Sequence, residues 1–147
     1  YPKAAFLDNR EVVLFGEKGF VLYQADSKKI ETQENFESEI NSVFCTNQKL
    51  GFIFKNEDDN GKYRMEIYNK AGKKSSTYYF DLDYSGMTAD DDEVILYNDG
   101  EMLIYQMGGR VRFRGTFNTA VTGVMPSWED GLYWLIDDQS LREIRIR

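Results

Sequence analysis

Histidine is absent from the 147-residue chain, and cysteine occurs once, at Cys45. Histidine is the commonest general base and metal ligand, so its absence excludes Ser-His and Cys-His nucleophiles. A single cysteine excludes an internal disulfide, and its apolar setting, Ser42-Val43-Phe44-Cys45-Thr46, predicts a packed strand residue and not a nucleophile. Apolar runs are short, below the roughly 18 residues that a membrane-spanning helix requires.

Basic residues are also few, with 18 Lys and Arg against 25 Asp and Glu, a net charge of −7 and a pI near 4.7. Such a chain repels phosphate on average, so we expect no nucleic-acid partner and no membrane contact from this segment. The hydrophobic content of 41% predicts one folded domain. The sequence opens at Tyr1 without a signal peptide, and an extracytoplasmic location would place a signal or anchor upstream.

The chain repeats itself. Glu11–Gln24 reads EVVLFGEKGFVLYQ, and Glu93–Gln106, 82 residues later, reads EVILYNDGEMLIYQ. Each segment has two apolar runs joined by a polar turn. Shorter matches pair Arg10–Phe15 with Lys49–Phe54 at an offset of 39, and Lys49–Phe54 with Gly131–Ile136 at an offset of 82. A period near 40 with four short strands per repeat is typical of a β-propeller.

Four repeats are predicted within a single domain spanning 1–147, at about 1–37, 38–83, 84–118 and 119–147. Each carries strands A to D in chain order, except that the fourth ends after strand C. The predicted strands are Lys3–Leu7, Glu11–Phe15, Gly19–Gln24 and Lys29–Phe36; Ile40–Cys45, Leu50–Phe54, Tyr63–Tyr68 and Ser75–Asp81; Ser85–Ala89, Glu93–Tyr97, Met102–Gln106 and Arg110–Phe117; and Val121–Met125, Leu132–Ile136 and Leu141–Ile146.

Strands B and C differ from strand D in their hydrophobic pattern. Val94–Tyr97 and Met102–Tyr105 are continuously apolar, which predicts strands covered on both faces, and Trp134 is predicted to be core. Strand D alternates instead, and alternation predicts one solvent-exposed face. In Arg110–Arg114 the polar positions Arg110, Arg112 and Arg114 alternate with the apolar Val111 and Phe113.

A short element, [IL]-Y-x-x-x-[GS]-[KR], recurs at Leu22–Lys28, Ile67–Lys73 and Ile104–Arg110. It resembles the turn between strands C and D in bacterial quinoprotein-like and WD40-like propeller repeats. The Trp-Asp ending of WD40 blades and the tryptophan-docking motif of quinone-dependent propellers are missing. The resemblance therefore implies architecture and carries over no quinone, metal or other cofactor.

The expected fold is all-β, with about 3.75 four-stranded antiparallel blades forming the C-terminal half of a seven- or eight-bladed propeller. A closed four-bladed propeller and a sandwich or open stack of sheets are the alternatives. An isolated half leaves apolar sheet faces uncovered, so we expect self-association or pairing with an upstream half-propeller.

The loops joining strands B to C and D to A are rich in acids, and we interpret them as a docking face for a protein, peptide or glycan. The alternative is that turns favour Asp for backbone reasons. The candidate partner-binding residues are Glu17, Glu57, Asp58, Asp59, Asp99, Glu101, Asp137, Asp138 and the aromatic Trp128.

Two acidic motifs resemble a metal site and a catalytic site, but each lacks a feature that its function requires. Asn56–Gly61 has the N-x-D-x-N-G pattern of a calcium loop, but Ile67 stands where the bidentate glutamate is required. The run Asp90–Glu93 would diverge at a turn, whereas acid-base catalysis needs two carboxylates converging on one cleft. We therefore predict no catalytic, metal or cofactor-binding residues.

The sequence favours a non-catalytic binding module of a larger, cell-envelope propeller protein of bacterial type. One alternative is a fragment of a glycoside-hydrolase-like propeller enzyme whose catalytic carboxylates lie upstream. Such an enzyme would carry its acids on strand A, lining the central channel. A purely structural spacer is the third class.

Overall fold

The structure, a computed structural model, describes residues 3–147, which form fifteen β-strands in four antiparallel sheets. Within this range there is no helix with the length and apolarity needed to cross a membrane. The chain divides into two compact units, Tyr1–Asp81 and Leu82–Arg147, called the N-terminal and C-terminal units below.

The N-terminal unit contains sheets 1 and 2, each with four strands in chain order. Sheet 1 consists of β1 (Lys3–Phe6), β2 (Glu11–Phe15), β3 (Gly19–Gln24) and β4 (Lys29–Asn35). Sheet 2 consists of β5 (Ser42–Cys45), β6 (Lys49–Lys55), β7 (Tyr63–Asn69) and β8 (Lys74–Phe80).

The C-terminal unit contains the four-stranded sheet 3 and the three-stranded sheet 4. Sheet 3 consists of β9 (Gly86–Ala89), β10 (Glu93–Tyr97), β11 (Glu101–Gln106) and β12 (Arg110–Thr116). Sheet 4 consists of β13 (Val121–Pro126), β14 (Leu132–Asp137) and β15 (Leu141–Arg145). All fifteen predicted strands are confirmed, with ends shifted by at most two residues.

The tyrosine of the recurring motif fixes which residues are equivalent between sheets. Tyr23, Tyr68 and Tyr105 lie opposite Val12, Leu50 and Val94 on the preceding strands. We call the side of each sheet that carries these positions its front face, and the opposite side its back face. Sheet 4 is aligned through the turn that follows its second strand. Ile136 lies opposite Leu141 as Tyr97 lies opposite Met102 in sheet 3, so Ile136 is equivalent to Tyr97. Three residues earlier, Tyr133 is therefore equivalent to Val94 and lies on the front face.

This equivalence corrects two sequence matches by one residue. Val12 corresponds to Leu50, an offset of 38 where the sequence suggested 39, and Leu50 corresponds to Tyr133, an offset of 83 where it suggested 82. Side chains alternate between faces along a strand, so a shift of one residue places every side chain on the wrong side. The 82-residue match of Val12 with Val94 holds.

In both units the back face of the first sheet packs on the front face of the second. Val13 and Leu22 of sheet 1 meet Leu50 and Phe52 of sheet 2 in the N-terminal core. The other members of that core are Leu7, Phe20, Phe54 and Tyr68. In the C-terminal unit, the core combines Ile95, Met102 and Ile104 of sheet 3 with Val121, Val124, Tyr133, Leu135 and Ile146.

In sheet 3 the residues predicted to be buried are buried, namely Val94–Leu96 and Met102–Tyr105. Sheet 4 differs, because Trp134, predicted to be core, lies on the back face and is only half-buried. Strand β2 also alternates, with Val13 buried and Leu14 exposed. Cys45 is half-buried against the N-terminal core, and this desolvation raises its thiol pKa to about 11, as expected for an unreactive strand residue.

Arg112 was predicted to face solvent, but its side chain is only 15% exposed. The reason is a β-bulge. Ile104 lies opposite Phe113 while Tyr105 lies opposite Val111, so Arg112 has no cross-strand partner and breaks the alternation of β12. Its guanidinium donates hydrogen bonds to the buried carboxylate of Glu93 and, at 2.7 Å, to Asp130.

The second oxygen of Glu93 accepts a hydrogen bond from the hydroxyl of Tyr133 on the neighbouring sheet. Burial, followed by this hydrogen bond and the charge of Glu93, raises the pKa of Tyr133. The hydrogen bonds from Arg112 to Asp130 and Glu93 outweigh burial and raise the pKa of Arg112. Glu93 is thus a buried carboxylate with two strong donors.

The equivalent carboxylate of sheet 1, Glu11, lacks both donors. Its bulge position is occupied by Glu31, and the residue equivalent to Tyr133 is Leu50. Gln24 donates a hydrogen bond of 3.2 Å to Glu11 Oε1, whereas the buried Oε2 has no partner among the described residues. Burial, then the charges of Glu31 and Asp8, raises the pKa of Glu11.

Replacing Glu31 by arginine is expected to remove a pH-dependent loss of stability. A carboxyl group whose pKa is raised by folding stabilises the fold fully below its unfolded pKa of about 4.3, and this contribution disappears as pH rises through the folded pKa. An arginine at position 31 stands where Arg112 stands beside Glu93, so the folded pKa of Glu11 should fall and the loss should vanish. Denaturant unfolding at several values between about pH 4 and pH 7 measures the slope.

Glu17→Arg is the matched control, because it makes the same charge change in the turn at the opposite end of β2. We expect it to keep the wild-type slope. An unchanged slope in Glu31→Arg would show that Glu31 does not govern the titration of Glu11.

Candidate interaction site

A cavity of about 690 Å³ in the N-terminal unit lies among the loops predicted to bind a partner. Three segments build it: Lys18 in the turn after β2, the loop 37–41 between sheets 1 and 2, and residues 55–58 at the end of β6 and in the turn that follows. Arg64 of β7 also lines it. A smaller cavity of about 280 Å³ shares Ile40 and Asn41 with it and reaches Phe15 and Glu17. We call the two cavities together the loop groove.

Backbone hydrogen bonds hold the loop 37–41 in place. Phe36 N donates to Lys18 O at 2.7 Å, and Ile40 N donates to Glu17 O at 2.7 Å. Asn41 N donates to Ile53 O, also at 2.7 Å. The loop is therefore fastened to sheet 1 at both ends and to sheet 2 at its exit, which gives the groove a preformed wall.

The six-residue insert Asn56–Gly61 is organised by Asp58. Its Oδ1 accepts hydrogen bonds from Asn60 N at 2.8 Å and from Asn56 Nδ2 at 2.6 Å, and these bonds lower the pKa of Asp58. Asn56 Nδ2 also donates to Gly61 O at 2.9 Å. The carboxylate of Asp58 is thus engaged within its own turn, while Glu57 and Asp59 are exposed around it.

The charges in the loop groove are mixed. Four acids (Glu37, Glu39, Glu57 and Asp58) and three bases (Lys18, Lys55 and Arg64) line the larger cavity. Arg64 is already engaged, with its Nε 3.2 Å from Glu66 and its guanidinium 4.7 Å from the centre of the Phe54 ring. Among the described residues no hydrogen bond or ion pair holds the carboxylates of Glu37, Glu39 and Glu57.

The remaining predicted acids belong to the C-terminal unit. Asp99 and Asp138 are exposed in the turns after β10 and β14, and Glu101 is exposed at the start of β11. Asp137 differs, because its side chain is only 7% exposed. Its Oδ1 accepts hydrogen bonds from Ser140 N at 2.7 Å and Gln139 N at 2.9 Å, which lower its pKa and leave it a turn-forming residue.

Trp128 is 89% exposed in the turn between β13 and β14. The strands of sheet 4 are antiparallel, so this turn lies at the opposite end of the sheet from Asp138. Trp128 borders a separate cavity of about 200 Å³, which also reaches Asp90, Glu93 and Tyr133. The structure therefore does not bring Trp128 together with Asp138, an acid with which the sequence grouped it and which belongs to the same sheet.

The sequence placed the loop 37–41 on the predicted docking face but gave no sign that Arg64 of the third strand would line the cavity. Only the fold shows that the loop, with Glu37 and Glu39, faces the insert of the next repeat. The arrangement suits an extended polar segment more than a small molecule, because exposed charges and loop backbone surround the cavity.

The buried carboxylates are structural. Glu11, Glu66 and Glu93 lie on the second or third strand of their sheets, and the first strands β1, β5, β9 and β13 contain no acid. Glu66 accepts hydrogen bonds from Tyr68 at 3.1 Å and Lys74 at 3.2 Å. Within residues 3–147 there is no group of three or more His, Cys, Asp or Glu arranged to hold a metal ion.

Solved structures similar to this chain are β-propeller proteins. BBS1N, solved in complex with ARL6DN, aligns with a TM-score of 0.63 at 14% identity, over 99% of this chain and 46% of that one. BamB from Moraxella catarrhalis gives 0.55 at 13% identity, over 90% and 39%, and Hsv2 from Kluyvelomyces marxianus gives 0.61 at 7% identity, over 92% and 43%. The chain thus spans less than half the length of these structures.

These identities establish the fold alone, an all-β fold of partial β-propeller type, as predicted. The finer resemblance to quinoprotein-like or WD40-like repeats stays a prediction. No curated protein matches the chain. Residues 1–146 match the model of a family described as "Family of unknown function (DUF5711)", and the chain belongs to that family.

Proposed function

We propose that the chain is a protein-interaction module whose N-terminal unit binds a Lys- and Arg-containing polypeptide segment in the loop groove. The observation that carries this proposal is the combination of a preformed cavity of about 690 Å³ with three acids, Glu37, Glu39 and Glu57, on its walls. Ligand pockets typically have volumes of about 300–1,000 Å³.

The charge balance favours a basic segment. Asp58 and Arg64 are each engaged by neighbours, which leaves three carboxylates against the ammonium groups of Lys18 and Lys55. The net charge of −7 adds a long-range attraction for cations. A protein partner also accords with BBS1N, a propeller solved in complex with ARL6DN.

Neutralising the groove acids is expected to weaken binding of a basic peptide. The variant Glu37→Gln, Glu39→Gln, Glu57→Gln should bind a fluorescein-labelled peptide of alternating lysine and glycine about tenfold more weakly, because three exposed ion pairs contribute ~0.5 kcal/mol each. Fluorescence anisotropy at low salt and at about 0.15 M salt measures the affinity. Asp58 and Asp137 are left intact because they form turns.

The control removes three charges elsewhere, with Asp26→Asn, Glu31→Gln and Glu143→Gln. It has the same net charge and should retain wild-type affinity. An equal loss in both triple variants would mean that overall charge attracts the peptide and that the loop groove does not bind it.

A further inference from the structure

The front face of sheet 1 is apolar and exposed. Phe6 lies opposite Val12, and Leu14 lies opposite Val21, so these four side chains share that face. Phe6 is 76% exposed and Leu14 is 46% exposed. Isolated exposed apolar residues are ordinary, but a contiguous apolar sheet face indicates an interaction surface.

The back face of sheet 4 is the second exposed surface, and it is apolar except on the edge strand β15, where Glu143 lies opposite Trp134 and Arg145 lies opposite Leu132. Met125 lies opposite Trp134, and Ile136 lies opposite Leu141. Met125 is 47% exposed and Leu141 is 61% exposed, while Trp134 and Ile136 are half-buried. The front face of the same sheet carries Tyr133 and is packed in the C-terminal core.

The exposed face of sheet 1 is a front face, and the exposed face of sheet 4 is a back face. In both units a back face packs on a front face, with Val13 against Leu50 in one and Ile95 against Tyr133 in the other. Leu14, on the exposed front face, occupies the position that Phe52 occupies in sheet 2. Trp134, on the exposed back face, occupies the position that Ile95 occupies in sheet 3. The chain thus presents both halves of the contact that it makes twice internally.

We propose that two copies of the chain associate head to tail, each placing its front face of sheet 1 on the back face of sheet 4 of the other. The contact is heterologous, and two such contacts close a ring of two copies. The propellers to which the chain is similar are about twice its length, since it covers 39–46% of them. Two copies bring together twice the four sheets, within the usual range of about four to eight blades.

Light scattering coupled to size-exclusion chromatography tests the association. At micromolar concentration the wild-type chain should elute at twice its mass of 17.2 kDa. Leu14→Asp and Met125→Asp should each be monomeric, because each buries a charge in both contacts of the ring. Trp128→Asp, at an exposed apolar residue outside both faces, should remain dimeric.

Mixing the two single variants tests the head-to-tail geometry. Leu14→Asp retains a wild-type back face on sheet 4, and Met125→Asp retains a wild-type front face on sheet 1, so the equimolar mixture should recover dimer through one intact contact. Recovery also shows that both variants are folded. A monomeric wild-type chain, a filament, or a Met125→Asp variant that stays dimeric would each overturn the proposal.

Discussion

Replacing Arg112 by alanine is expected to lower the free energy of unfolding by about 3–5 kcal/mol, the usual cost of removing one partner from a buried ion pair. Glu93 would keep the hydrogen bond from Tyr133 but lose the guanidinium that pairs with it, and its side chain is 8% exposed. Denaturant unfolding at neutral pH measures the loss. Arg110→Ala, an exposed arginine two positions earlier, is the matched control and should change stability by about 0.5 kcal/mol or less.

The triple variant Glu93→Leu, Arg112→Met, Tyr133→Phe tests whether the unpaired charge of Glu93 or the loss of packing around position 112 causes the loss of stability. It replaces every polar group of the buried contact by an apolar group of similar size, so most of the stability lost in Arg112→Ala should return. Asp130, the remaining partner of Arg112, is exposed and is hydrated without it. A triple variant no more stable than Arg112→Ala would show that packing around position 112, and not the unpaired charge, controls stability.

Phe52→Ala is expected to cost about 3–5 kcal/mol, because it removes a fully buried ring from the N-terminal core. The ring of Phe52 stacks on Phe20 with centroids 5.0 Å apart, and it contacts Phe36 at 5.2 Å and Tyr68 at 5.7 Å. These rings come from both sheets and from the loop between them, so a cavity here loosens the whole unit.

Trp128→Ala is the control for this prediction, since it deletes a larger aromatic side chain from an exposed position. It should change the free energy of unfolding by about 0.5 kcal/mol or less. Thermal unfolding followed by circular dichroism compares the two variants. Similar midpoints would contradict the central place of Phe52 in the core.

The strands could be predicted from sequence because local signals agree. Apolar runs of four to seven residues alternate with turns whose Asp, Asn or Thr side chains accept backbone hydrogen bonds, such as Asp90 Oδ1 from Glu93 N at 2.8 Å and Asn98 Oδ1 from Glu101 N at 2.8 Å. These turns repeat, and the period of the repeat predicts the number of sheets.

The equivalence of residues between sheets, and the face on which each residue lies, could not be predicted in the same way. The alignment of Leu50 with Glu11 maximised similarity in sequence, whereas the hydrogen-bonded partners align Leu50 with Val12. Arg112 looked like a solvent-facing residue because nothing local reveals that its strand contains a bulge. Trp134 looked like core because it lies in a continuously apolar second strand, a pattern that predicts burial on both faces.

The candidate site stays a prediction. Glu57 and the acids of the loop 37–41 line one cavity, but Asp58 and Asp137 accept hydrogen bonds from backbone donors of their own turns. The composition of a turn does not show whether a carboxylate caps it or points away from it. Trp128 could be placed on a turn from the sequence, yet the end of the sheet at which it lies is a property of topology.

The bulge between strands three and four recurs in sheets 1, 2 and 3, each time beside the motif tyrosine. The inserted residues are Glu31, Ser75 and Arg112, three unrelated side chains at one structural position. A residue with no partner across the ladder can be exchanged without disturbing strand pairing. Gene duplication would therefore leave each copy one site at which to acquire new chemistry. In sheet 3 that site now holds the partner of a buried carboxylate, whereas an engineered library at positions 31 and 75 should yield folded variants with distinct polar groups.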